Sequence, residues 1–273
     1  MNKYNMVVVD VDGTLITSEK QVSEMTKQAI KMIKEKGMLF AIATGRPVVS
    51  AMAMIESFDL TSLVDYLICS NGVETYNIES KTSTISHPLT KQDVVDIVNL
   101  MRPFQLDYCL YQGNIMYTNK LNPISSVVAS RNQLIPKVVS AKYLPINQTN
   151  KVVFTVYDHV YDELLAFQQK FKHPKFNCFF TQPDLFEFVD KRVNKAKGIE
   201  AILKNHPFTM KEVLAFGDAQ NDIEMLQEVG CGVAMENAQQ EIKNVADAIT
   251  LSNDHDGIAT YLFNLFDSSN DSN

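Results

Sequence analysis

Two carboxylates, Asp10 and Asp12, follow the apolar run Met6-Val7-Val8-Val9 and precede Gly13-Thr14. Interior strands of a parallel sheet are covered on both faces and read as unbroken apolar runs, and open α/β sheets bind ligands beyond the carboxyl ends of their strands. Asp10 falls at such an end. Two acids with Gly-Thr also suit a turn or a helix cap, and this stretch alone leaves both readings open. Two more apolar runs end in the same manner. Met38 to Ala43 leads into Thr44-Gly45-Arg46, and Val213 to Phe216 leads into Gly217-Asp218-Ala219-Gln220-Asn221-Asp222. Lys195 and Lys197 precede a helical pattern of Ile199, Ile202 and Leu203. Clustered carboxylates suit a hard divalent cation such as magnesium, which takes one or two carboxylates, waters and substrate phosphate oxygens. The hydroxyl and the lysine suit the phosphate.

The elements that must position these groups alternate up to residue 72 as strand, helix, strand, helix, strand. Ser23 suits the cap of a helix in which Met25, Ala29, Ile30 and Ile33 recur at helical spacing, and Gly37 suits its stop. Pro47 fits the first turn of the next helix. From about residue 84 to 188 the texture changes to alternating or aromatic-rich runs: Tyr108 to Tyr111, a Gln112-Gly113-Asn114 turn, Ile115 to Tyr117, Lys151 to Tyr157, Phe176 to Phe180 and Leu185 to Val189. Helical patterns separate them, one opened by the capping box Thr90-Lys91-Gln92-Asp93. This predicts an inserted α+β unit over 84–188, with residues 1–83 and 189–273 forming the rest. The polar tail Asp267 to Asn273 is expected to fray.

A length of 273 residues is near the upper limit for one core, in keeping with an insertion. With 45% apolar and 21% charged residues the composition is that of an ordinary globular protein. A net charge of -7 argues against general nucleic-acid binding, which draws on basic surface, so a phosphate site must be a local positive focus. Cys69, Cys109, Cys178 and Cys231 have no paired spacing for zinc and sit in apolar stretches, as reduced core cysteines do. No stretch approaches the ~18 apolar residues of a membrane span, and acidic residues come too early for a signal peptide, so the expected location is cytoplasmic.

The ordered set Asp10-Val-Asp12-Gly-Thr14, Thr44-Gly45-Arg46, Lys195 and Gly217-Asp218-Ala-Gln-Asn221-Asp222 resembles the haloacid dehalogenase superfamily. Asn221 to Leu226, Gly230 to Ala238, Asn71-Gly72 and Asp256-Gly257 resemble its Cof-type branch, the magnesium-dependent phosphatases of sugar phosphates and related metabolites. These matches span residues 6 to 257. The resemblance implies an α/β fold, with a Rossmann-like three-layer core, a mainly parallel sheet and an inserted α+β cap domain. It implies hydrolysis of a small-molecule phosphomonoester, with neither nucleic acid nor membrane as partner. Asp10 is then the nucleophile that forms an aspartyl-phosphate and Asp12 the acid and base. Magnesium is held by Asp10, the backbone carbonyl of Asp12 and Asp218, with Asp222 a ligand or next to one. Thr44, Gly45, Arg46, Lys195 and Asn221 bind the substrate phosphate.

Some assignments stay open at this level. The lysine motif usually reads lysine-glycine, whereas here Lys195 precedes Ala196 and a second lysine, Lys197. The preceding Val193-Asn194 favours Lys195. Arg46 reaches substrate or pairs with an acid, and Asp222 caps a helix, assists a metal or does both. His87, His159, His173, His206 and His255 have no ligand spacing, and Tyr108, Tyr111 and Tyr117 read as packing before they read as a sugar pocket. Phosphomutase-like transfer on the same scaffold, and a non-enzymatic binding scaffold, are the alternatives.

Overall fold

The computed structural model describes residues 3–267; the tail expected to fray lies outside them, apart from the backbone of Asp267. The chain divides into two compact units. One draws on the chain up to Thr44, on Ala51–Thr84 and on the chain from Asn194 onward; the other comprises Gly45–Ser50 and Ile85–Val193.

The first unit is built on an eight-stranded sheet. Its order is Ala248–Ile249, Cys231–Ala234, Val213–Gly217, Met6–Val9, Leu39–Ala43, Tyr66–Cys69, Glu74–Asn77 and Thr82–Ile85. The first six are parallel, and Glu74–Asn77 turns back antiparallel on Tyr66–Cys69. Met6 to Val9 are wholly buried because both faces are covered. Met6 and Val8 pack with Ile199, Ile202, Met225 and Leu226 of helices Lys195–Leu203 and Ile223–Glu228. Strand alternation turns Val7 and Val9 to the other face. There helix Glu24–Glu35 packs on Leu39–Ala43 and on helix Gly257–Asp267. Ser23 caps Glu24–Glu35 by accepting from the Thr26 N–H, and Gly37 follows its end at a φ of 76°. This is the Rossmann-like three-layer α/β architecture the motifs imply.

The topology explains where a site can form. From Met6–Val9 the chain moves outward to Leu39–Ala43 and Tyr66–Cys69 on one side, and later returns to Val213–Gly217 on the other. Beyond the carboxyl ends of Met6–Val9 and Val213–Gly217 the connections diverge and leave a crevice. Asp10 and Asp218 are the residues next in sequence.

The second unit carries a six-stranded sheet, ordered Phe176–Gln182, Leu185–Asp190, Val152–Thr155, Asp107–Gln112, Ile115–Thr118 and Ile135–Val138. Neighbours are antiparallel except Ile115–Thr118 with Ile135–Val138, which run parallel. Tyr108, Tyr117, Phe154, Phe186 and Phe188 form one core with Val94 and Ile97 of helix Lys91–Leu100. The reading of Tyr108 and Tyr117 as packing holds, and the Tyr108 hydroxyl donates to the Val139 carbonyl. The box at Thr90 and Asp93 is formed in both directions. All four cysteines are buried and free. Among the described residues, no helix is long and apolar enough to cross a membrane.

Candidate active site

Asp10 continues the central ladder: its N–H donates to the Phe216 carbonyl at 3.0 Å, which fixes the start of its side chain at the sheet edge. Just beyond, Gly13 takes a φ of 90°, and a Cβ there would lie 2.3 Å from Asp218 Oδ2. Only glycine lets this loop turn and lie against the neighbouring strand end. Thr14 then donates from Oγ1 to Asp218 Oδ1 at 2.6 Å.

From Val213–Gly217 the chain supplies Asp218 and, four residues later, Asp222, which is fully buried. Asp222 Oδ2 accepts the backbone N–H groups of Asp218 and Ala219, at 3.1 and 3.0 Å. Asp222 therefore caps its turn, and its other oxygen faces the site. Lys195 supplies the cation. Asn194 caps its helix by accepting from the Lys197 N–H, which sets Lys195 at the first helical position. Lys195 is 0% exposed and its ammonium donates to Asp10 Oδ1 and, at 2.6 Å, to Asp222 Oδ1. Lys197 is 42% exposed and pairs with Glu200 and Glu228. Lys195 is thus the lysine that reaches the carboxylates.

Carboxylate oxygens of Asp10, Asp218 and Asp222 lie within 4.8 Å of one another. Burial pushes the Asp10 carboxyl up to about 8, against the pull of Lys195 and with Asp222 and Asp218 adding to the rise. Burial pushes Asp218 up to about 6; the Thr14 hydrogen bond opposes this and Asp222 repulsion adds to it. Burial disfavours the Lys195 charge as well, but Asp10 and Asp222 outweigh it and raise its pKa. One ammonium thus faces three carboxylates. Such a cluster is short of positive charge, and an all-oxygen donor set of this kind fits a hard divalent cation.

Asp12 does not join this cluster through its side chain, which is 55% exposed with Oδ1 3.8 Å from the Lys20 ammonium. Thr44 is buried at the end of Leu39–Ala43, its carbonyl accepting from the Asn71 N–H at 3.0 Å. Asn221 Nδ2 donates to Asn71 Oδ1 at 3.0 Å. Gly45 and Arg46 belong to the second unit, where the Gly45 carbonyl accepts from the Lys151 ammonium at 2.9 Å. Two participants carry no assigned role in the sequence reading. Thr14, inside the Asp-Gly-Thr stretch, steers Asp218, and Asn71, inside the Asn-Gly pair, meets Asn221. Spacing could not pair them, since the contacts join residues 204 and 150 positions apart. Among the histidines, His206 bonds the Tyr66 hydroxyl and His173 stacks on Phe176.

The family model of the haloacid dehalogenase-like hydrolases matches residues 7–262. The chain belongs to this family. Among relatives of this hydrolase, the 5-amino-6-(5-phospho-D-ribitylamino)uracil phosphatase YcsE of Bacillus subtilis is 29% identical over 255 residues, covering 93% of this chain and 92% of the relative. A haloacid dehalogenase-like hydrolase from Bacteroides thetaiotaomicron superposes with a TM-score of 0.81 at 29% identity, over 97% of this chain and 100% of that one. The subclass IIB sugar phosphatase BT4131 shares the fold, with a TM-score of 0.81 at 21% identity over 96% and 99% of the two chains.

Proposed function

We propose that this hydrolase removes phosphate from small phosphorylated metabolites, with magnesium, through an aspartyl-phosphate on Asp10. The observation that carries this reading is the Asp10 carboxylate at a sheet switch point, tied to a buried lysine and flanked by two further carboxylates. A carboxylate and a phosphate dianion repel each other, so attack requires positive charge and an in-line approach. Asp10, Asp218 and the backbone carbonyl of Asp12 would hold the magnesium ion, with Asp222 beside them. When bound, the ion neutralises charge on the transferring phosphoryl group.

Asp10 then attacks phosphorus, and the bond from phosphorus to the ester oxygen breaks. Asp12 gives a proton to the departing oxygen. Water next attacks the aspartyl-phosphate and passes its proton to Asp12. The bond from phosphorus to Asp10 breaks, releasing inorganic phosphate and restoring both carboxyl groups. Thr44, Gly45, Arg46, Lys195 and Asn221 orient the phosphoryl oxygens throughout. Asp12 suits its role because its side chain is outside the carboxylate cluster, free to give its proton to the departing oxygen, stay ionised, and regain a proton from the attacking water.

For the substrate class, the named activity of YcsE, a phosphatase of a ribityl phosphate, favours a phosphorylated polyol or sugar. The inserted unit is taken as the cap that selects it. The test is phosphate release from a panel of metabolite monoesters with magnesium. Turnover of polyol or sugar phosphates that stops on chelation is expected, and no release from any ester would overturn the proposal.

A further inference from the structure

Ser70, Asn71 and Gly72 follow the strand Tyr66–Cys69 with φ values of 50°, 57° and 101°. Left-handed backbone suits glycine and strains other residues through Cβ, so two non-glycine residues in succession need a reason. All three are buried. Gly72 has a packing reason: a Cβ there would lie 1.9 Å from the Asn194 carbonyl oxygen, so the turn is pressed against the cap of the helix that begins with Lys195.

Asn71 has no such reason, because glycine would take its backbone conformation with less strain. Its side chain does something glycine could not. Oδ1 accepts from Asn221 Nδ2, while its own Nδ2 is buried with no partner among the described residues. Turning the amide over would not mend this, since two NH2 groups would then face each other. The backbone strain and the unmade donor are both borne while one bond to Asn221 is kept. Costs of this kind gather where function needs them. The turn that bears them touches Thr44, Asn194 beside Lys195, and Asn221.

We propose that Asn71 is a positioning residue of the phosphate site: its Oδ1 fixes the Asn221 carboxamide so that Asn221 meets the phosphoryl group in one orientation. This rests on the phosphatase reading above. The discriminating variant is Asn71→Gly, which keeps the N–H that bonds Thr44 and relaxes the backbone, and so removes only the amide. Its melting temperature should equal or exceed that of the wild type. Its kcat/KM for an aryl phosphate should fall about tenfold, and inhibition by inorganic phosphate should weaken by a similar factor, the size of one lost hydrogen bond.

Acting through Asn221 also requires that Asn71→Gly cost nothing further in an Asn221→Ala background. Wild-type kinetics in Asn71→Gly, or a further tenfold loss on top of Asn221→Ala, would reduce Asn71 to a turn former. Should Asn71→Gly melt early, Asn71→Asp keeps the acceptor and tolerates the left-handed backbone. Asn221→Ala must then still lower kcat/KM in the Asn71→Asp background, and if it does not, the proposal fails. A wild-type protein that hydrolyses no ester would sink the phosphatase reading separately. Inorganic phosphate should still raise the melting temperature of wild type more than that of Asn71→Gly, and equal shifts, or none in either, would overturn the role of Asn71.

Discussion

Each unit of the molecule buries a lysine against carboxylate, but the charge is balanced around one lysine and not around the other. Lys195, in the first unit, faces a cluster of three carboxylates. Lys151, in the second, is also buried but faces one, Glu187 Oε1 at 2.6 Å, with the Gly45 carbonyl at 2.9 Å and the Thr181 hydroxyl donating to the same carboxylate. The second arrangement balances charge within the fold, although Glu187 Oε2 is left without a hydrogen-bond partner among the described residues. The first does not balance, and self-repulsion among its acids is part of what raises Asp10 and Asp218. A buried pair that cancels is a structural element; a buried excess of one sign marks where an ion of the other sign belongs.

The sharpest break in this comparison is between activity and stability. Asp10→Asn should lower turnover of an aryl phosphate on the order of 10⁴-fold or more while leaving stability equal or higher, because it removes a repelled, desolvated carboxylate. Lys151→Met should do the reverse to stability, lowering it by about 3–5 kcal/mol as Glu187 is left unpaired in the interior. Urea melts beside initial rates measure both. A large loss of stability in Asp10→Asn would mean the first cluster is structural after all.

Asp12 offers the next largest effect, and it separates proton transfer from nucleophilic attack. Asp12→Asn should slow turnover by roughly 10²–10⁴-fold, with acid-stable trapping of radiolabelled phosphate on the protein still slowly detectable. Stability should hardly change for a side chain that open to solvent. Turnover at the wild-type rate would remove Asp12 from the acid and base steps.

Magnesium should act on the first unit alone. At about 100 times its dissociation constant it should stabilise the wild type by roughly 2.7 kcal/mol, seen as a higher melting temperature, and Asp218→Asn should abolish the shift. A shift that survives Asp218→Asn would place the cation elsewhere. Calcium should inhibit, since its looser and higher coordination lets Asp10 bind through both oxygens and spoils the attack.

How much of this was legible beforehand follows from which signals are local. The buried strands Met6–Val9 and Val213–Gly217 announce themselves as apolar runs, and the runs at Tyr108, Ile115, Lys151, Phe176 and Leu185 each coincide with an observed strand. Ile135–Val138 was missed because all four residues are exposed and Pro136 and Lys137 break the pattern, as suits an edge strand. Thr82–Ile85 is exposed and polar for the same reason, as the edge of the eight-stranded sheet, and Glu74–Asn77 beside it is short and polar as well. At the site, residue type and strand-end placement pointed to Asp10, Asp218 and Lys195, because chemistry leaves a mark on composition. The bonds of Thr14 to Asp218 and of Asn71 to Asn221 join distant segments, and only the folded register brings them together.

The smallest effect tests whether the two units respond to pH with opposite sign. Asp93 in the second unit has its carboxyl held below the usual value: burial opposes this, but the Lys175 ammonium and the Thr90 N–H and hydroxyl prevail. A lowered folded pKa means that the unfolded chain binds the proton more readily, so this stabilisation is present above 3.8 and is lost as pH falls through the lower folded value. Asp218 has the opposite shift, up to about 6, so in metal-free protein its penalty is absent below 3.8 and grows as pH rises from there toward 6. Asp93→Asn should therefore cost about 1 kcal/mol at neutral pH, the size of one helix cap. That difference from wild type should vanish on acidification, whereas Asp218→Asn in chelator should be neutral in acid and stabilising near pH 7. Melting curves of both variants across pH 3 to 7 decide it. Parallel curves, with the two variants deviating from wild type in the same direction, would show that the contrast between the balanced and the unbalanced unit does not extend to their titration.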